Sequence, residues 1–576
     1  MPRCLNRWIF VPALLVVFMG SGVSQQNSSE VPAPTIRVST RMVLVDVVVT
    51  DKQGSPLPGL KPDDFVLAEN GKTQKITAFT TPEDIAPAPP LPPGIYSNRP
   101  QYRSPGGPIT VLLLDALNTE YSNQAYARRQ MLQFVQEQYK PGQRMAIFTL
   151  TGSLNVLQDF TSDPEVLYAA IQRYKPSEQE LTPVAARKTD NGAGPATAQS
   201  TVNSLDASAL PVSDATTGGT GMLSAREAEI QGEIRSFESA SAAYNQDQRT
   251  ILTVNALDSL ARTLGGLPGR KNVIWVTGNI PFTLIPEDRN VTNAELEEDL
   301  PSLNTRRVGE HSAGNYAATF RTAHADEIRE TAARLASAQV AIYPVDTRGL
   351  SLSTSVDAQE VMREIARDTG GRAYVNQNEI KFGVQRAFQD EAATYTLGYY
   401  PENKKWDDKY RSIKVKTKRD GLELQYRRGY YAFEPTQLKG YNPQAEVASA
   451  LNDVAPSTLV AFTARVVPPS ANSTPGKIGV DFLVDASTLS AEDVSGGKQF
   501  NVGFYATVFS PQGKMVAEYN QKVDHSFPVD VYKQIVEKGM LLHMDIGPAP
   551  ANTQLRLAVQ DNETGLVGTL DAPLPQ

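Results

Sequence analysis

The sequence predicts a doubly wound α/β core with a small N-terminal β unit before it and a C-terminal antiparallel β-sandwich after it. Three observations carry this. Strand-like and helix-like segments alternate from Ile109 to Ala393, as parallel strands joined by crossover helices do. Arg41–Thr50 (RMVLVDVVVT) alternates, is rich in valine and precedes an Asn70-Gly71 turn, a strong hairpin signal. Beyond Glu434, short apolar runs are separated by Gly, Pro and Asn turns, as in a sandwich.

The N-terminal unit is expected over residues 36–81, with strands at Arg41–Thr50, Asp64–Ala68 and Gln74–Thr80. Residues 82–108 follow as a proline-rich extended linker, since proline at that density cannot join a sheet interior. The α/β domain is placed at 109–394. Thr110–Leu114 (TVLLL) and Asn272–Thr277 (NVIWVT) are continuous apolar runs, suited to strands buried on both faces. Arg144–Thr151 and Leu154–Phe160 read as an antiparallel edge hairpin, and Val340–Val345 as a further strand. Helices are expected at Ser122–Tyr139, Asp163–Tyr174, Val254–Leu264, Ala325–Ala338, Ala358–Asp368 and Ile380–Ala393. An insertion, 175–249, is polar and rich in Ala, Ser, Thr and Gly; Ile230, Ile234, Phe237, Ala240 and Tyr244 near its end form an amphipathic stripe. Residues 395–433 read as a β hairpin extension and 434–576 as the sandwich.

Composition bounds the function. The chain has 576 residues, 40% of them apolar and 20% charged, which excludes collagen-like and wholly disordered classes. A net charge of −8 without a basic tail argues against nucleic acid and anionic membrane surfaces as general partners. The single cysteine, Cys4, rules out a disulfide framework and a thiolate zinc site. Residues 1–24 have the layout of a secretory signal peptide: Arg3 and Arg7, an apolar run from Trp8 to Met19, then small residues up to Ser24. That run is short of the ~20 residues of a bilayer span, and no later stretch approaches that length. Export to the periplasm, cell envelope or medium is expected, with no integral span after the leader is removed and no cysteine left.

Motifs for catalysis are missing. The four histidines share no spacing, and no H-E-x-x-H, G-x-S-x-G or complete G-x-G-x-x-G is present. Gly265–Asn272 (GGLPGRKN) precedes a strand, whereas a phosphate loop follows one, so it reads as a helix stop. The sequence gives no reason to expect an enzyme or an organic cofactor. One position stands out: Asp115, directly after VLLL, where open α/β sheets bind ligands.

The run Asp115–Thr119 (DALNT) resembles the D-x-S-x-S of the von Willebrand factor A domain. There the Asp and hydroxyls help hold a divalent ion, and a partner's carboxylate completes the shell. Asp115 and Thr119 match; Leu117 replaces the middle Ser, and Gly278 stands where the family places a later Asp. The resemblance implies metal ligands at Asp115 and Thr119, for Mg²⁺ or Ca²⁺, in a degenerate site to which Asn118 can supply a substitute amide oxygen. VLVDVVVTDKQGSPLPGLKPDDFVLAENGKTQKI, LLLDALNT, GRKNVIWVTG, AIYPVDTRGL and the segment from Tyr395 to Ala432 together resemble VWFA-related domain proteins of the acidobacterial type. What that implies is an exported, non-enzymatic module that binds a protein or cell-surface partner. A cation-dependent adhesin or sensor, an unrecognised hydrolase and a structural spacer are the rival readings.

Overall fold

A computed structural model describes residues 42–81, 91–103, 109–140, 143–176, 244–284, 324–349, 356–377, 379–391, 394–434, 436, 441–467, 477–548, 550 and 552–574. The signal peptide and most of the insertion, including its Ile230–Ala240 stripe, lie outside the described residues.

Strands β1 (Val43–Asp51), β2 (Phe65–Glu69), β3 (Lys72–Gln74) and β4 (Ile76–Thr80) come first, then a short β5 (Ile95–Ser97). The α/β segment carries β6 (Ile109–Asp115), α1 (Tyr121–Glu137), β7 (Met145–Leu150), β8 (Leu154–Thr161) and α2 (Pro164–Arg173). It continues with α3 (244–265), β9 (Lys271–Thr277), α4 (Ala325–Ser337), β10 (Val340–Asp346), α5 (Val356–Thr369) and α6 (Ile380–Glu391). Strands β11 (Thr394–Tyr399), β12 (Tyr410–Thr417), β13 (Leu422–Gln425) and β14 (Gly429–Tyr431) follow. The remainder holds α7 (Pro443–Asn452), β15 (Phe462–Val467), β16 (Ile478–Val484), β17 (Glu492–Val494), β18 (Gly497–Phe509), β19 (Met515–Pro528), α8 (Val529–Lys538), β20 (Met540–Ile546), β21 (Gln554–Asp561) and β22 (Val567–Pro573).

The central sheet runs β10-β9-β6-β7-β8, parallel except for β8, which closes the expected edge hairpin with β7. Its strands are apolar on both faces because helices cover both. Val273 and Trp275 point into one layer with α3, α4 and α5; Ile274 and Val276 point into the other with α1, α2 and α6. Asp163 starts α2 by accepting from the backbone N–H groups of Glu165 and Val166, as an N-cap aspartate does. Of the short strand expected near Ala373, a single parallel bridge between Val345 and Tyr374 is present.

The N-terminal strands and the 395–433 segment, read from sequence as separate units, share one sandwich. Its sheets are β13-β1-β11-β4 and β14-β12-β2-β3, with Val43 opposite Tyr399 and Val48 opposite Gln425. Val45, Val47, Phe65, Leu67, Leu397 and Tyr399 fill the space between them. Each segment supplies only two strands to each sheet, whereas three or more with cover are needed for stability. β1, expected half-buried, is enclosed almost throughout because the sandwich core covers one face and the α4–β10 connection, with Gln339 bonded to Asp46, meets the other.

The C-terminal sandwich packs β20-β16-β15-β5 on β17-β18-β21-β22, with β19 alongside β18, around Phe462, Phe482, Phe500 and Phe504. β5 comes from the proline-rich stretch read as a linker. Ile95–Ser97 pairs with β15, and buried Asn98 donates to Ser457 O and Val460 O while accepting from Phe462 N. Helices α7 and α8 were not anticipated.

This sandwich is locked to the α/β domain at the end of α3. Thr458 N donates to Arg262 O and Thr458 Oγ1 to Thr263 O, satisfying carbonyls that a helix end leaves open. A Cβ on Gly266 would lie 1.8 Å from Thr458 O, so the Gly265-Gly266 pair is a seat for the C-terminal module as well as a helix stop.

Candidate functional site

The sheet order makes the chain leave β6 toward β7 on one side and return to β9 on the other. The crevice beyond the carboxyl ends of β6 and β9 is the switch point at which such sheets take ligands. Asp115 ends β6 and Thr277 ends β9; Asp346 ends β10.

The Asp115 carboxylate is buried, with 2% exposure, and its oxygens are taken by the chain itself. Oδ1 accepts from Asn118 N at 2.8 Å. Oδ2 accepts from Asn118 Nδ2 at 3.0 Å, Trp275 Nε1 at 3.0 Å and Thr277 Oγ1 at 2.8 Å. Three of the four donors converge on Oδ2 and one on Oδ1, so Oδ1 keeps a lone pair beyond its bond from Asn118 N. Burial pushes the Asp115 pKa up, and the hydrogen bonds from Asn118, Thr277 and Trp275 pull the other way. The same burial, with the Asp115 charge nearby, pushes the Tyr174 phenol well above its usual range.

The three sequence candidates are brought together, each with a task inside the fold. Asn118 Nδ2 also donates to Thr253 Oγ1 of α3 at 3.1 Å, tying the loop to that helix. Thr119 Oγ1 accepts from Gly278 N at 2.9 Å, joining the ends of β6 and β9. Asn118 Oδ1 and Thr347 Oγ1 are buried without a hydrogen-bond partner. Asp346 is occupied by Arg348, whose Nε and Nη2 each lie 2.9 Å from its oxygens.

These residues do not fit a divalent cation. A hard cation takes oxygen ligands, preferably carboxylates, with a coordination position left open. Here three protein donors crowd Oδ2 of the carboxylate, Leu117 is buried in the core at 1% exposure, and Gly278 supplies no side-chain ligand. A Cβ on Gly278 would stand 3.3 Å from Asn118 O, so the ends of β6 and β9 approach closely at this glycine. Among the described residues no group of three or more His, Cys, Asp or Glu is arranged to hold a metal.

Trp275 and Thr277 carry no site signal in the sequence beyond their place in a buried strand. That place is itself a signal: an indole N–H in a strand enclosed on both faces has to find an acceptor. Of the histidines, His324 Nε2 faces Asp247 Oδ1 at 2.6 Å and His543 Nδ1 faces Asp481 Oδ1 at 2.6 Å; neither is among the residues that hold Asp115. No helix among the described residues is long and apolar enough to cross a membrane.

No family model and no curated protein matches the chain. Similar solved structures include an aerotolerance-related membrane protein from Bacteroides fragilis, at 10% identity over 50% of this chain and 98% of that one, with a TM-score of 0.22. BatB from Bacteroides thetaiotaomicron is 11% identical over 50% of this chain and 99% of its own, with a TM-score of 0.22. A von Willebrand factor type A protein from Catenulispora acidiphila is 8% identical over 92% of this chain and 76% of that one, with a TM-score of 0.23. Likeness this low carries no functional weight, and the fold stands on the chain's own strand order and register.

Proposed function

We propose that the chain is an exported, non-enzymatic protein-interaction module that meets its partner at the carboxyl edge of the parallel sheet. The observation that carries this is the closed Asp115 network. At the position where the fold opens to ligands, the buried Asp115 carboxylate is held by four neutral donors, three of them on one oxygen, and has no base beside it. What this edge offers is a rigid surface. Next to it, at the start of α1, stands Tyr121, 51% exposed, an aromatic of the kind enriched at interfaces. The degenerate cation site of the resemblance is then a structural tie, and binding is independent of Mg²⁺ and Ca²⁺.

The test is recovery of partners from the envelope fraction by the full chain and by a Glu120→Lys/Tyr121→Ser variant, each with and without chelator. The variant is expected to lose partners that the parent retains in chelator. Equal recovery by both proteins would overturn the surface. Recovery abolished by chelator, with millimolar Mg²⁺ or Ca²⁺ raising the melting temperature, would favour a cation-dependent adhesin.

A further inference from the structure

Where the two sandwiches and the α/β domain meet, they leave a pocket of about 320 Å³ between them. Small-molecule pockets span about 300–1,000 Å³ and are mostly apolar with a few placed polar groups. This one is walled by Trp406, Tyr430, Tyr431 and Phe433 on one side and by Ala333 and Ala336 of α4 on another.

Three guanidinium groups line it, and they differ in one respect. Arg262 is paired with Asp453 at 2.7 Å, and Arg334 with Glu446 at 2.8 Å and with Glu330. Arg427 has no ion pair with any described residue. It is 9% exposed; Nη1 and Nη2 donate to the carbonyls of Ala336 and Leu44, and Nε bonds nothing. Asp46 acts on it only from a distance, its oxygens engaged by Gln339 and Thr396. The Tyr430 ring, 5.7 Å from the guanidinium carbon, supplies partial compensation. A buried charge without a counter-ion is costly, and cavity walls where one persists are candidates for binding the missing charge.

We propose that this cavity binds a small amphiphile, one carboxylate on an apolar body, with Arg427 as its counter-ion. The aromatic and aliphatic walls take the body, and the three-module junction closes around it. The site is remote from the Asp115 edge and does not depend on the interaction reading.

Octanoate is the probe, titrated into the full chain by calorimetry and by fluorescence of Trp406, the tryptophan that lines the cavity. Octanol and inorganic phosphate are the comparators. Octanoate is expected to bind saturably, octanol at least about tenfold more weakly, as loss of a hydrogen-bonded charge predicts, and phosphate not at all. Arg427→Met should lower octanoate affinity to that of octanol, and Ala333→Phe, which fills the cavity, should abolish both. The octanoate-to-octanol ratio in the unmodified protein decides the matter even if a variant fails to fold. No saturable octanoate binding at millimolar concentration, equal affinity for octanol, or phosphate binding as tightly as octanoate would overturn the proposal.

Discussion

In the first sandwich, Glu69 and Arg411 are 3% and 1% exposed and face each other at 3.6 Å. Tyr399 and Tyr430 both donate to Glu69, and Trp406 and Tyr430 flank the guanidinium. In the parallel sheet, Asp115 and Lys271 are as deeply enclosed, yet neither has an ion pair with a described residue. Asp115 is held by neutral donors, and burial pulls the Lys271 amine down to about 7, with only Asp46 pulling it back. The difference teaches that one chain buries charge in two ways. Glu69 and Arg411, on strands from distant parts of the sequence, compensate each other directly. Inside the parallel sheet the Asp115 charge is dispersed over dipoles and the Lys271 amine gives up its proton more readily, while Asp346 at the end of β10 is paired with Arg348.

The largest loss of stability in this contrast is expected from Arg411→Met. It leaves Glu69 enclosed without a cation and should cost about 3–5 kcal/mol in urea unfolding followed by Trp406 fluorescence. Adding Glu69→Gln should recover much of the loss; a double variant as weak as the single would mean that the two charges are uncoupled.

Lys271→Met should have the opposite sign. Below pH 7 the folded chain carries the buried ammonium at full cost, and the cost fades as pH rises from about 7 toward the ordinary lysine value of ~10.4. Methionine should therefore stabilise by about 4–5 kcal/mol at pH 6 and by little near pH 10. Destabilisation at pH 6 would show that Lys271 has a partner that compensates it.

Asp115→Asn is smaller again. An amide turns its N–H₂ toward a neighbour that is itself a donor, at a cost of about 1–3 kcal/mol, read as a lower urea midpoint. An unchanged midpoint would mean the four donors are satisfied without the carboxylate.

The smallest effect belongs to an exposed counterpart in the C-terminal sandwich. The His543 ring nitrogens face Asp481 at 2.6 Å and Asp545 at 3.3 Å, and the hydrogen bond to Asp481 leads in raising its pKa. A raised histidine pKa stabilises fully below the ordinary value of ~6.5 and the gain is lost as pH rises through the folded-state value. Solvent screening holds it to about 0.5 kcal/mol. Melting curves between pH 6 and 8 should show a slope that His543→Gln removes.

The elements of the α/β domain were legible because their signals are local. TVLLL and NVIWVT are apolar on both faces wherever they sit, and the Gly152-Ser153 turn places β8 against β7. The position of Asp115 was legible too, since it follows from the end of a strand. Its chemistry was not: Trp275 and Thr277 reach it from a strand more than a hundred residues away, and the spacing of DALNT is silent about both.

Side-chain alternation marks β1 as a strand but cannot choose β11 and β13 as its neighbours, because a pleat has a period and no address. The same holds for β5, hidden among prolines, which becomes a strand only because β15 offers an unpaired edge and Asn98 finds three buried partners. Sequence alone determined the strand–helix alternation, the absence of catalytic motifs and the place of Asp115, each written in periodicity or residue type. Tertiary structure alone decided that two distant β segments make one sandwich, that Gly266 seats a module, and that Arg427 stands without a counter-ion beside a cavity. Those depend on which surfaces meet, and burial, not local propensity, sets that.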